Sequence, residues 1–360
     1  MAQKRPISTF VWNVGMSGIP LWAITQTLLE SLTIYLPNPF IHAFLIWGLQ
    51  NRYSTFMKIF KTVNHQVTIP KTTLFTPLNH NHTPYPYLWL GTWRMGGMHF
   101  GPYTETQALS TLSLAYDNGI RHFDTAAFYA HGHADRVLAK AFKKKRSQIF
   151  ISSKGGLHWQ GNTVVKDASK QGLKRSLEAS LHALNTDYID LFSLHWPDPK
   201  VPIEESIDAL LGFQKKGDIR HWGLCNLSIE QVSVLPKISP PVLHQVHHNL
   251  LAPNTDLLKA SKDKGLTTGI YSPLAEGFLG TSQTAEGRTG LSKKDFRHKS
   301  PYFSEKKHQD RQQQFKALAS AENLNLAQYV IKQYAEDVLI DHILFGARTP
   351  AQLESLLTKT

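Results

Sequence analysis

From Leu88 onward, short apolar runs alternate with longer stretches in which apolar residues return every three or four positions. The short runs predict strands at Leu88–Thr92, His122–Asp124, Ile149–Lys154, Tyr188–His195, His221–Leu224, Leu243–His247, Leu266–Tyr271 and Ile340–Phe345. The longer stretches predict helices between them, for example over Lys166–Leu184, Glu204–Lys216 and Arg311–Glu322. Eight strand–helix units in succession predict an α/β fold of the (β/α)8 barrel type. An open, doubly wound sheet is the rival. If it bound a dinucleotide, it would carry a glycine-rich turn between its first strand and a helix. The segment Gly91-Thr-Trp-Arg-Met-Gly-Gly97 lacks that glycine spacing and opens no helix, and no GxxxxGK[ST] segment occurs anywhere.

Residues 1–80 have a different texture. No charged side chain occurs from Ile7 to Leu29, nor from Ser31 to Asn51. Both windows are long enough for a membrane helix. The first, however, carries Asn13, Gly15, Ser17, Gly18, Pro20, Thr25 and Gln26, and Pro37, Asn38 and Pro39 break the second. Lys4-Arg5 is followed by no compact apolar run with a small-residue cleavage site, which argues against a signal peptide. Ile41, Phe44, Leu45, Leu49, Phe56, Met57 and Phe60 recur at roughly helical spacing, with Arg52, Lys58 and Lys61 on or beside the other face. Two readings lead, a helix packed on a neighbouring domain or an amphipathic helix lying on an anionic membrane surface, and a hairpin within the bilayer or a poorly ordered extension are the remaining alternatives. The expected organisation is therefore a hydrophobic, partly helical extension over 1–80 followed by a barrel over 81–360.

The composition fits such a barrel and excludes several other classes. With 41% hydrophobic and 18% charged residues, 360 residues can bury a large core, so wholesale disorder and collagen-like or coiled-coil architectures are excluded. A lone cysteine, Cys225, permits no internal disulfide and no cysteine-rich zinc site, and it points to a reducing, cytoplasmic setting. The net charge of +12 is spread along the chain, with +5 in residues 1–80. A nucleic-acid partner is not expected, because such proteins concentrate charge on one patch interleaved with aromatics. The densest basic run, Lys143-Lys144-Lys145-Arg146, reads as the solvated end of a helix.

In a (β/α)8 barrel the reactive groups stand at the carboxyl ends of the strands. Those ends carry Asp124 with Tyr129 shortly after, Lys154, His195-Trp196, Cys225-Asn226, Gln245, Tyr271-Ser272 and Gly346-Ala347-Arg348. An acid, a phenol, an ammonium and an imidazole thus share one rim. A phenol beside a cation can donate a proton to a carbonyl oxygen as hydride arrives from a bound cofactor. On this reading Lys154 lowers the pKa of Tyr129, Asp124 holds Lys154, and His195 orients the carbonyl. No metal is expected: the 18 histidines include His131-Gly132-His133 and His247-His248, but neither pair has a helical metal-ligand spacing.

The segment Gly119-Ile-Arg-His-Phe-Asp-Thr-Ala126 with Tyr129 resembles the first signature of the aldo-keto reductases. Lys154, Leu194-His-Trp-Pro197, Gly223-Leu-Cys-Asn226, Gln245 with Asn249-Leu-Leu251, Tyr271-Ser-Pro-Leu274 and Gly346-Ala-Arg348 continue it in order. The wording is most similar to the bacterial and channel-β-subunit-like branch. The resemblance implies an NADP-dependent oxidoreductase reducing aldehydes or ketones with NADPH. It implies a catalytic tetrad of Asp124, Tyr129, Lys154 and His195, with Tyr129 as general acid. Asn226 and Gln245 would hold the nicotinamide amide, and Tyr271 would stack on its ring. Ser272, Leu274 and Gly346 would line the cofactor, and Arg348 and Gln352 would lie beside its 2′-phosphate and adenine. Trp93 and Trp196 would wall the substrate pocket, and the polar segment Gly280–Asp310 would cover the pyrophosphate as a mobile belt. Departures are Ala130 for the usual Gly, Cys225 for the usual Ser, and Ser355-Leu356 for a Glu-Asn pair. The alternative role is a cofactor-binding sensor subunit of a membrane protein with little turnover.

Overall fold

The computed structural model describes residues 87–97, 104–235, 240–280 and 295–357. The expectations for residues 1–80 lie outside them. Among the described residues, no helix is long and apolar enough to cross a membrane.

Eight parallel strands close into a barrel: β1 (Leu88–Gly91), β2 (His122–Asp124), β3 (Phe150–Gly155), β6 (Ile189–Leu194), β7 (Ile219–Cys225), β8 (Leu243–His247), β9 (Thr267–Tyr271) and β10 (His342–Phe345). Their order round the barrel is β1-β10-β9-β8-β7-β6-β3-β2. Each is followed by a helix: α1 (Glu105–Asp117), α2 (His133–Ala141), α3 (Lys170–Leu184), α4 (Ile203–Lys216), α5 (Ile229–Ser233), α6 (Thr255–Asp263), α7 (Lys306–Ala321) with α8 (Leu326–Glu336), and α9 (Pro350–Leu357). All eight expected strands are present with ends shifted by a few residues. The (β/α)8 architecture is thus established.

Side chains alternate along a strand, so register decides what fills the barrel. Trp89 pairs with His122, and His122 with Phe150. These inward residues stack near the amino-terminal end: Trp89 lies 5.2 Å from His122 and 4.8 Å from His342, and His122 lies 5.0 Å from Phe150, between ring centroids. Leu191 and Leu243 join Trp89 and Phe150 in a separate buried cluster. Further along the same inward rows come polar groups: Asp124 two residues after His122, Gln245 two after Leu243, and Lys154 four after Phe150. One pleat period therefore gives a packed floor and a reactive mouth.

The outward faces, with the helices, make the main core, which includes Leu112, Phe123, Phe192, Trp222, Val330 and Tyr334. Helix ends follow local chemistry. The Ser169 hydroxyl accepts from the Gly172 N–H at the start of α3 (3.1 Å), and Asn325 and Gln328 form a reciprocal cap at the start of α8.

One element was not anticipated. Leu157–Gln160 (β4) and Thr163–Lys166 (β5) form an antiparallel hairpin above the mouth. The Trp159 indole N–H donates to the Phe128 carbonyl at 2.8 Å and ties the hairpin to the loop after β2. Gly161-Asn162 between alternating residues is a legible two-residue turn signal. The expected helix over Lys166–Leu184 accordingly begins only at Lys170. The basic run also differs from expectation. α2 ends at Ala141, and Arg146 is structural: it pairs with Asp190 at 2.8 Å and donates to the Tyr188 carbonyl at 2.9 Å.

Candidate active site

The loop after β2 delivers Tyr129 over Lys154 of β3. The Lys154 ammonium is almost fully enclosed, with 2% of its side chain exposed. It donates to Asp124 Oδ1, to the Thr125 carbonyl at 3.0 Å and to the Tyr129 hydroxyl at 3.5 Å. Asp124 Oδ2 accepts from the Ser152 hydroxyl at 3.1 Å and from Gln245 Nε2 at 3.0 Å. A buried carboxylate and ammonium are tolerable only when paired and hydrogen-bonded on their remaining sides, and this pair is. The His195 ring meets Tyr129 edge-on at 5.9 Å. Its Nδ1 is buried with no hydrogen-bond partner among the described residues.

Burial acts on Lys154 toward a lower pKa, but the carboxylate of Asp124 and the facing Tyr129 and Cys225 outweigh it and raise the value. His195 is pushed well below its ordinary value by burial and then by the Lys154 charge, so it is neutral at physiological pH. Tyr129 corrects the sequence reading. Burial pushes its phenol up to about 12, and the downward pull of Lys154 does not overcome that. In this closed site the ammonium offsets the desolvation of the phenol without reversing it, and Tyr129 holds its proton through neutral pH.

These groups open into a cavity of about 390 Å³. Trp93 and Trp196 stand at its edge, 43% and 38% exposed, and Phe128 joins them on the wall. Asn226, Gln245, Tyr271, Ser272, Leu274 and Gly346 line the same cavity. The Tyr271 hydroxyl donates to Asn226 Oδ1 at 2.7 Å, and Asn226 Nδ2 donates to the His195 carbonyl at 2.9 Å. Three rim loops are thus laced together. Asn226 and Ser272 have φ of 60° and 61°, and Ala130, at the departure from the usual glycine, has φ of 47°. Such left-handed non-glycine backbone costs on the order of 1–3 kcal/mol and gathers at functional sites. Cys225 Sγ donates to Gln245 Oε1 at 3.7 Å, and burial raises its thiol to about 12, so it packs as a neutral thiol.

Arg348 and Gln352 do not line this cavity. They sit beyond β10 at the start of α9, where Gln352 Oε1 accepts from the Arg348 N–H at 2.9 Å. The expected belt is only partly described, and its second half is not a loose polar strap. Asp295 and Arg297 are buried and clamp each other, and α7 begins at Lys306. Sequence reasoning missed Arg94, Phe128, His247 and Glu276, all of which line the cavity. Arg94 directly follows Trp93 at a strand end, a position that already marked it.

It also missed Asp135. This carboxylate on α2 is fully buried and accepts from the Thr125 hydroxyl at 2.5 Å and the Ser180 hydroxyl at 2.8 Å. It thereby fixes the residue whose carbonyl holds Lys154.

A closed parallel barrel with an acid, an ammonium, a phenol and an imidazole joined at its carboxyl mouth defines a barrel enzyme. The chain belongs to the aldo/keto reductase family of oxidoreductases: the model of the Aldo/keto reductase family matches residues 87–359. Aldo-keto reductase YhdN of Bacillus subtilis is 34% identical over 283 residues, covering 74% of this chain and 82% of that protein. The NADH-specific methylglyoxal reductase of Escherichia coli is 28% identical over 56% of this chain and 68% of its own length. A probable voltage-gated potassium channel subunit beta of Arabidopsis thaliana is 31% identical over 186 residues, 48% of this chain and 56% of that protein. Among solved structures, the glycerol dehydrogenase of Gluconobacter oxydans superposes with a TM-score of 0.68 at 28% identity, covering 76% of this chain and 87% of that one.

Proposed function

We propose that the protein reduces small aldehydes or ketones to alcohols with NADPH. The observation that carries this reading is the enclosed Asp124–Lys154–Tyr129 chain beside a neutral His195, opening into an apolar-walled cavity. The residues fit a nicotinamide cofactor: Tyr271, Asn226 and Gln245 offer a ring and two amides on one wall, and Gly346 leaves the neighbouring wall free of side chain. When bound, the cofactor supplies hydride to the carbonyl carbon.

The chain's own residues do the rest. His195 orients the carbonyl oxygen toward the mouth. Tyr129 donates its proton to that oxygen, and Lys154 stabilises the phenolate left behind. Asp124 keeps Lys154 in place and charged. Trp93, Phe128 and Trp196 form the apolar wall against which the carbonyl's substituents lie. Arg348, half-buried beside the charge of Arg297, supports preference for a cofactor bearing a 2′-phosphate. The intact proton-donating set favours turnover over a purely cofactor-sensing role.

The test is NADPH consumption, followed by absorbance, against a panel of small aldehydes and ketones. Steady oxidation with at least one carbonyl is expected. Tight NADPH binding without turnover on any carbonyl would favour the sensor role instead.

A further inference from the structure

Three guanidinium groups from distant parts of the chain act on one another beside the cavity: Arg94 after β1, which lines it, Arg297 in the turn Phe296–Lys299, and Arg348 after β10. Arg297 is buried, and Asp295 grips it with two bonds, Nε to Oδ1 at 2.8 Å and Nη2 to Oδ2 at 2.6 Å. A methyl placed on Gly277 would lie 3.5 and 3.6 Å from the two terminal nitrogens of Arg94 and 3.7 Å from Nη1 of Arg297. Both guanidiniums therefore face the same point of backbone. At Gly346 the stem of Arg94 passes so close that an added methyl would meet its Cδ at 3.0 Å. Arg94, Glu276, Gly277 and Gly346 all border the cavity.

Gathering like charges is costly. Burial, followed by the charges of Arg297 and Arg348, brings Arg94 down to about 9, while Asp295 and Glu276 pull the other way. It stays protonated at neutral pH. Arg94 is thus held among the guanidiniums of Arg297 and Arg348 and the carboxylates of Asp295 and Glu276, at the wall of the cavity.

The position of the cluster says what it would hold. On the reading above, one end of the cofactor lies by Tyr271, Asn226 and Gln245, and the other by Arg348. Arg94, Gly277 and Gly346 stand between. The part of a nicotinamide dinucleotide between its two ends is a diphosphate. We propose that Arg94, seconded by Arg297, binds the diphosphate of the cofactor, with Gly277 and Gly346 kept bare so that backbone, guanidinium and phosphate can approach. This rests on the cofactor reading above. Arg94 then answers to a group common to NADH and NADPH, whereas Arg348 answers to the 2′-phosphate alone.

Calorimetric titration of the full-length chain with NADPH, NADH and ADP-ribose separates these roles. Arg94→Met should weaken all three by a similar factor, about 10- to 100-fold. Arg348→Ala should weaken NADPH and leave NADH and ADP-ribose nearly unchanged. A loss for Arg94→Met confined to NADPH, or no loss on any ligand, overturns the assignment. Should Arg94→Met fail to fold, Arg94→Lys decides by the same titrations, with a smaller common loss expected and a loss on NADPH alone, or none, overturning it. A wild-type chain that binds none of the three ligands overturns the cofactor reading itself and this proposal with it.

Discussion

The two ends of the barrel are made by the same inward rows of the same strands, yet they are opposites. At the amino-terminal end, Trp89, His122, Phe150 and His342 pack ring against ring. At the other end the rows finish in Asp124, Lys154, Gln245 and Tyr271, and a cavity opens. The floor is held by contact and the mouth by charge. A barrel can carry buried charges at one end because the other end is closed by packing, so the network has to be satisfied only once, at the rim.

This contrast predicts which changes should alter chemistry and which should alter stability. The largest effect is expected from Tyr129→Phe, which should lower the carbonyl reduction rate by about 10²–10⁴-fold while leaving NADPH affinity and melting temperature close to wild type. A parallel loss of cofactor binding would assign the phenol to structure. Lys154→Met should act on both sides of the divide. It leaves Asp124 as a buried charge without its partner, costing about 3–5 kcal/mol of stability in denaturant titration as well as the rate. Trp89→Ala, at the floor, should cost a similar or slightly smaller amount by opening a cavity, yet the rate per folded molecule should hold. A collapse of that rate would mean the two ends are coupled.

The smallest effect concerns the layer behind the mouth. Burial raises the Asp135 carboxyl to about 6, above its unfolded value of about 3.9. The folded chain thus binds that proton more tightly than the unfolded chain. The corresponding stability is fully present below about pH 4 and is lost as pH rises through 6. Asp135→Asn removes this dependence. Relative to wild type, the variant should gain up to about 3 kcal/mol between pH 4 and pH 8 in denaturant titrations at each pH. A difference that does not change with pH would mean the carboxyl keeps its ordinary ionisation.

Strand positions and the rim chemistry were legible because both follow from a period of two and from strand ends. Asp124 and Lys154 announce themselves by standing last in apolar runs. The ionisation of Tyr129 was not legible, since the balance between burial and a nearby ammonium depends on distances no sequence supplies. Arg297 was hidden for another reason. In the chain it is one basic residue in a polar stretch, and only folding brings it against Gly277 beside Arg94, more than two hundred residues away in sequence. The hairpin over the mouth is signalled only by Gly161-Asn162, because Val164 and Val165 run on into the apolar pattern of the next helix.

The stacked floor has a kinetic consequence. With Trp89, Phe150 and His342 packed at the far end, the cavity lined by the described residues lies at the carboxyl mouth. If two molecules share it and both pass by that mouth, the one seated deeper must enter first and leave last. Turnover would then follow a fixed queue, with the final departure setting the pace whenever the deeper guest is held tightly.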